Sequence, residues 1–359
     1  MWKVLGVAVA AALLAACSDN SSTPATGTAP AGATMKVGLM VSGSTSDGGW
    51  NQLGQSSLDA LSKRDSLDVR TRQNVSKDSA ADALRQFDAQ GFALVIAHGY
   101  EYLEPVKELT DPAKGNAVKE KVVVSGGDVD SPNFQSLAYD LSGASYQLGI
   151  VAAKVTKSHK LGFIGGEAIP TVTAMKRGFE AGAKSVDPTI TVTTQYTGWD
   201  DPAKSKTQAE AFMDAGIDVI MQNTDAASSG IFEAVKEFND KNGFMKEIPQ
   251  KNPPAVGIIM PRHVYTFGAN ADQNGNAICS DYILGSAVIH MDKAFSRVIE
   301  EVRDGTFKGG LVKEDLANGV CEAVLNPKLT GTVLKDVQPL LDDAVKKITS
   351  GEVKIPAGD

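Results

Sequence analysis

The sequence predicts an α/β protein of two similar lobes that face a central cleft. Three observations predict it. The stretch Met35 to Leu61 (MKVGLMVSGSTSDGGWNQLGQSSLDAL) reads as strand, loop and helix. It has an apolar run from Val37 to Val41, a loop of Ser, Gly, Thr and Asp, and then Leu53, Ser57, Leu58 and Leu61 at helical spacing. The same alternation recurs along the rest of the chain, as it does in parallel sheets. Finally, Leu84 to Tyr100 (LRQFDAQGFALVIAHGY) aligns without gaps on Ala209 to Asp225 (AEAFMDAGIDVIMQNTD), Phe87 on Phe212 and Gly91 on Gly216. Generic strand–helix patterning accounts for much of that match. Two lobes in tandem still imply a cleft faced by both sets of strand-end loops, where ligands of parallel sheets sit.

The elements follow in order. After the opening unit, Leu67 to Gln73 reads as a strand and Ser79 to Gln90 as a helix, with Ala83, Leu84 and Phe87 on one face and Gly91 as its stop. Phe92 to Ala97 is a buried strand that ends in His98, Gly99 and Tyr100. Leu103 to Leu109 is a short helix, Val122 to Ser125 a strand, Ser136 to Tyr139 an edge-like strand ending at Asp140, and Ser142 to Val155 a helix. The second lobe starts near Lys160. Its strands are Leu161 to Ile164, Thr191 to Tyr196, Ile217 to Met221, Ala255 to Met260 and Val264 to Ala269; its helices are Pro170 to Val186, Lys204 to Ala215 and Gly230 to Asn239. Lys241 to Pro254 reads as a polar surface insertion. Ile283 to Ile289 and Val320 to Leu325 are strands, Asp292 to Arg303 is a helix, and Pro339 to Thr349 is an amphipathic helix with its proline in the first turn. The expected lobes are 35–156 plus 283–312 and 157–282 plus 313–359.

The chain is long enough, at 359 residues, to bury two cores, and its net charge of -8 with no basic, aromatic-interleaved patch argues against nucleic acid. The first residues stand apart. A short basic start, an apolar run from Val4 to Ala16 too short to span a bilayer, and LAAC at Leu14 to Cys17 read as a secretory signal over residues 1–16. A cysteine directly after small residues resembles the bacterial lipobox, with Cys17 lipidated; an ordinary signal peptide with a chance cysteine is the weaker alternative. Residues 17–34 (Ser/Thr/Pro/Ala/Gly-rich, without apolar period) suit a flexible tether that holds a folded protein at a membrane surface. Cys279 and Cys321 remain as either a disulfide or two buried thiols, because sequence does not place their Cα atoms.

Catalytic furniture is absent from the sequence. It has no G-x-x-x-x-G-K-[ST], no G-x-G-x-x-G after the first strand and no G-x-S-x-G elbow. His98, His159, His263 and His290 show no zinc-site spacing. Asp200–Asp201 reads first as a helix cap rather than a carboxylate pair. No cofactor is expected, and an exported two-lobed protein of this kind reads as a binder.

The motifs DGGWNQ (Asp47 to Gln52), GFIGGEAIP with MKRGFEAGAKSVDP (Gly162 to Pro188), QYTGWDDPAKSK (Gln195 to Lys206), GIDVIMQNTD (Gly216 to Asp225), GANADQN (Gly268 to Asn274) and DGTFKGG (Asp304 to Gly310) resemble the basic membrane protein family over the whole chain after the tether. These are substrate-binding lipoproteins of ABC transporters, several of which bind purine nucleosides or nucleobases. The resemblance implies a type I periplasmic binding protein fold: two Rossmann-like lobes, three hinge crossings and a central cleft. It implies a purine-like small molecule and an ABC permease complex as partners, and a lipid anchor in the cell envelope, with Ser18 after the cysteine favouring the outer membrane. The alternative is a ligand sensor or surface lipoprotein uncoupled from transport.

The family resemblance also assigns residues. Purine-binding members sandwich the base between two aromatics, which match Trp50 and Trp199. Their base-edge readers match Asn51 and Asp140, and their ribose acid matches Asp272. A lysine typical of nucleoside binders has no counterpart: Ile289 follows Ser286-Ala287-Val288 where that lysine would stand, which leaves a nucleobase or another flat ligand open beside a nucleoside. Read from the residues themselves, Trp50 beside Gly48–Gly49 suits gripping a flat group. Asn51 and Asp140 also suit helix caps; Asn223 and Asp225 read first as turn residues and second as ligand contacts, and Asp272 reads as a turn residue that the family match makes a site residue. His98 and Tyr100, at a strand end, are candidates for the cleft rim.

Overall fold

The computed structural model of the protein describes residues 34–115, 117–242 and 263–356. The leader with Cys17, the tether, most of the polar insertion and the strand expected at Ala255 to Met260 lie outside them. The first lobe is built from β1 (Met35–Val41), α1 (Trp50–Asp65), β2 (Leu67–Arg72), α2 (Ala80–Ala89), β3 (Leu94–His98), α3 (Leu103–Thr110), β4 (Lys121–Ser125) and β5 (Gln135–Tyr139). The chain then runs through α4 (Ser142–Val155), β6 (Lys160–Gly165), α5 (Pro170–Val186), β7 (Thr191–Tyr196), α6 (Pro202–Asp214), β8 (Val219–Asn223), α7 (Ser228–Asn242), β9 (Tyr265–Asn270) and β10 (Ile283–Ile289). It returns for α8 (Met291–Arg303) and β11 (Gly310–Glu314) and ends with β12 (Cys321–Leu325) and α9 (Gln338–Thr349).

The strands form two six-stranded sheets, in the orders β11-β5-β4-β3-β1-β2 and β12-β10-β9-β8-β6-β7. Every pairing in the first is parallel; in the second, β12 alone runs antiparallel, against β10. Central strands are buried on both faces. Val37 to Val41 and Leu94 to His98 are continuous buried runs, which is why they read as unbroken apolar stretches rather than alternating ones. The helices bury a single stripe, as α2 does with Ala80, Ala83, Leu84 and Phe87.

Two expected boundaries move. β10 pairs with β9 and β12, and α4 packs on α5, so both belong with the second sheet rather than with the first lobe. An all-buried run such as ILGSAVI carries no mark of which sheet it joins; only its register against Gly268 to Asn270 decides. β11, for which no element is expected from sequence, forms the edge of the first sheet beside β5. The chain therefore crosses between the sheets at Asp140, at His290 and over 315–320. The crossings are tied together: Asp140 N–H donates to the Glu314 carbonyl at 2.7 Å and His290 N–H to the Val320 carbonyl at 2.7 Å.

α4 and α5 touch backbone to backbone. A Cβ on Gly178 or Gly182 would run into the Ser142 or Tyr146 carbonyl oxygen, and one on Gly149 into Phe179. Cys279 and Cys321 are buried free thiols in separate parts of the core, and the bridge left open by the sequence is not formed.

Candidate functional site

Each sheet reverses its strand order once, at β1/β3 and at β6/β8. Loops leaving adjacent strands diverge at such a point and open a crevice at the carboxyl edge. Here the two crevices meet in one cavity of about 360 Å³. The first lobe contributes Ser42, Gly43, Asp47, Trp50 and Asn51 after β1, Gly99, Tyr100 and Glu101 after β3, and Gly126 after β4. The second contributes Glu167, Ile169, Thr171 and Val172 after β6, Trp199 and Asp200 after β7, and Asn223, Asp225 and Asn270 from β8 and β9.

Trp50 has a built seat. Its indole stacks on the His98 imidazole with ring centroids 4.2 Å apart and 6° between planes, and meets Tyr139 edge-on at 5.7 Å. His98 is fully buried, its Nε2 lies 2.9 Å from the Trp50 carbonyl, and its Nδ1 lies 2.9 Å from Ser125 Oγ. A carbonyl only accepts, so Nε2 carries the proton, Nδ1 accepts from the Ser125 hydroxyl, and Ser125 in turn accepts from Tyr139 OH at 3.1 Å. Burial pushes the imidazole pKa down to about 4, which keeps it in this neutral tautomer. Gly54 on α1 makes room: a Cβ there would sit 2.7 Å from the ring.

The loop before α1 is held by Asp47 rather than Asn51. The Asp47 carboxylate accepts from the backbone N–H of Gly49, Asn51 and Gln52, an anion at a helix N-terminus, and also from Asn51 Nδ2 at 2.8 Å. That last bond orients the Asn51 amide, and its Oδ1 is left buried without a donor in a residue only 9% exposed. On the other side the Trp199 indole lies flat on Gly166, where no Cβ would fit. Asn223 and Asn270 exchange amide hydrogen bonds, and Asn270 Nδ2 also donates to Asp225 Oδ1 at 3.1 Å.

The lobes touch at this edge. The Trp50 backbone N–H donates to the Asp225 carboxyl, Gln273 Nε2 donates to the Gly48 carbonyl at 3.3 Å, and a Cβ on Gly49 would lie 2.8 Å from Asp225 Cα. Asp225 sits in the left-handed region at φ 46°. Burial, and after it the charge of Asp47, raises its carboxyl pKa to about 7, against the opposing pull of the Trp50 N–H and Asn270.

Of the residues expected at the cleft, Trp50, Asn51, Tyr100, Trp199 and Asn223 line this one cavity. His98 lies beneath Trp50 instead of at the rim. Asp140 is at a lobe crossing, exposed, with Oδ1 accepting from Ser142 N–H at 2.9 Å. Asp272 is exposed in an Asx turn, accepting from Asn274 N–H at 2.9 Å. Neither is among the residues that line the cavity. Ile289, 1% exposed in the core and opposite Cys321 in the sheet, is not among the lining residues either. Asp201 caps α6 by accepting from Lys204 N–H, which leaves its neighbour Asp200 at the cavity. Asp47, Glu101, Glu167 and Asn270 are not singled out by the sequence; all follow or end a strand, and three stand in motifs that carry the family resemblance, Asp47 in DGGWNQ, Glu167 in GFIGGEAIP and Asn270 in GANADQN. Among the described residues no group of His, Cys, Asp or Glu is placed to hold a metal ion, and no helix is long and apolar enough to cross a membrane.

Known proteins share this architecture and sequence. A solute-binding protein of an ABC transporter system from Conexibacter woesei superposes with a TM-score of 0.68 at 25% identity, over 90% of this chain and 99% of its own. One from Aeropyrum pernix, at 20% identity, superposes with a TM-score of 0.74 over 91% and 94% and shares the fold. In sequence, the ABC transporter nucleoside-binding protein BmpA of Lactococcus lactis is 26% identical over 352 residues, 96% of this chain and 95% of that protein. The family profile described as ABC transporter substrate-binding protein PnrA-like matches residues 34–359, all of both lobes. With two Rossmann-like lobes of the type I periplasmic binding fold around an aromatic-walled cavity, the chain belongs to this Bmp family of ABC transporter substrate-binding proteins.

Proposed function

We propose that this protein is a lipid-anchored receptor that takes a purine nucleoside, nucleobase or similarly flat solute into the interlobe cavity and delivers it to an ABC permease. No bond is made or broken in that task. One observation carries the reading: an indole from each lobe, Trp50 on its imidazole shelf and Trp199 on Gly166, lines the same cavity. Stacking between two aromatic faces accepts any planar π-system and draws the lobes together. Asn51, with its bare carbonyl oxygen, supplies an acceptor for an N–H on the edge of such a ring. The nucleoside-binding relative from Lactococcus supports a ligand of the nucleoside class. The lipid anchor is supported by the LAAC pattern at Leu14 to Cys17 and the Ser/Thr/Pro/Ala tether that follows.

Titration of purines into the protein should quench tryptophan fluorescence. Trp199→Ala should weaken binding by about tenfold or more, the order of one base–aromatic stack; an unchanged affinity would sink the two-indole reading. Cys17→Ala should release the protein from the membrane fraction, and a variant that still sediments with membranes removes the anchor.

A further inference from the structure

We infer that the cavity selects ligands whose planar head carries a positive charge and N–H donors, and that it discriminates against anionic relatives of the same shape. This rests on the reading that a flat solute binds here. The lining holds Asp47, Glu101, Glu167, Asp200 and Asp225, drawn from both lobes, and among the described lining residues there is no Lys, Arg or His. None of the five is in a salt bridge among the described residues. A cleft walled by one sign of charge, with low-dielectric sides, focuses its field on whatever enters.

Two further features point the same way. The Asn51 Oδ1, buried and without a donor, asks the ligand for an N–H, because the Asp47 carboxylate already holds the amide nitrogen and prevents a flip. Both indoles present π faces whose quadrupole attracts a cation more strongly than a neutral ring. A bare metal ion does not answer this arrangement, since among the described residues no set of acids converges to ligate one. An organic cation does: a protonated amino-heterocycle, an amidinium or a guanidinium. Asp225 fits this scheme: burial first, and then the charges of Asp47 and Asp200, raise its pKa, and a cation beside it would offset that.

The test uses pairs that differ in charge and little else, titrated calorimetrically into the full-length protein. 1-Methyladenosine is cationic at neutral pH and its isomer N6-methyladenosine is neutral; benzamidine is cationic and benzamide neutral. The cationic member should bind at least tenfold more tightly in each pair that binds. Adenosine 5′-monophosphate should bind at least tenfold more weakly than adenosine. The preference should shrink in a Glu167→Gln, Asp200→Asn double variant, and as salt rises from about 20 to about 500 mM. If both methyladenosines bind and the neutral one binds as well or better, the charge inference is overturned while the purine reading stands. If neither the methyladenosines nor adenosine binds but benzamidine exceeds benzamide, the purine reading falls and the charge inference holds. Absence of binding by every member overturns the inference.

Discussion

At the scale of the residue, the site depends on how an indole is held still. Trp50 stands out in the sequence as an aromatic beside two glycines, but nothing local shows what lies under it. The shelf is His98, brought from the neighbouring strand and locked by Ser125 and Tyr139. A buried imidazole with a pKa near 4, against an ordinary value of 6.5, stays neutral while the unfolded chain takes up a proton. The folded pKa is depressed, so this contribution to stability is complete above pH 6.5 and is lost as pH falls towards 4, by about 3 kcal/mol in all. A His98→Gln variant should lack this loss. Chemical denaturation at pH 7.5 and pH 5 should therefore show the wild type losing more stability than the variant over that interval; equal losses would contradict the assignment. The helix cap shows the same division. Asn51 suits a cap by composition, but Asp47 takes the three N–H groups, and the Asn51 carbonyl oxygen is left buried without a donor.

At the scale of the element, most of the fold is legible because burial imposes periodicity. Strands buried on both faces read as apolar runs and surface helices as stripes, and the structure has them within a few residues of the expected bounds. β11 is the exception. GLVKE is short and half-exposed at a sheet edge, so packing imposes no pattern on it. The close approach of α4 and α5 is a second feature that spacing only hints at. Gly178 and Gly182, one turn apart, let the α5 backbone reach Ser142 and Tyr146. Gly182→Ala would force a methyl group into the Tyr146 carbonyl and separate the helices. It should lower stability by about 1–3 kcal/mol, the usual range for overpacking, even though alanine favours a helix. A urea midpoint at or above that of the wild type would show that the contact yields freely.

At the scale of the whole molecule, the three crossings lie side by side and share hydrogen bonds, which is the build of a hinge. Glu314, 2% exposed beside them, is anchored by Arg297 at 2.6 Å and Asn318 at 2.8 Å, so the third crossing is fastened at its base. The lobes meet at the opposite edge through Gly49 and Asp225 and through Gln273 and Gly48. Gly49→Ala would wedge that contact open without touching either core. It should weaken ligand binding by about fivefold or more, the lower bound of a typical coupling between closure and affinity, and leave the thermal midpoint of the empty protein near that of the wild type. Wild-type affinity in this variant would show that closure does not depend on the Gly49 seam.

The sequence by itself determined the fold class, the repeated lobe plan and the aromatic pair Trp50 and Trp199, because each is written in local spacing or in a short motif. Tertiary structure alone decided that β10 and α4 join the second sheet, that His98 supports rather than lines the site, and that Asp140 and Asp272 serve turns outside the cavity. It also gathered five carboxylates, scattered from residue 47 to residue 225, around one pocket. The reason is physical. A residue's neighbours along the chain fix its secondary structure, whereas the charge and shape of a cavity arise from strand ends that only the register of two separate sheets brings together.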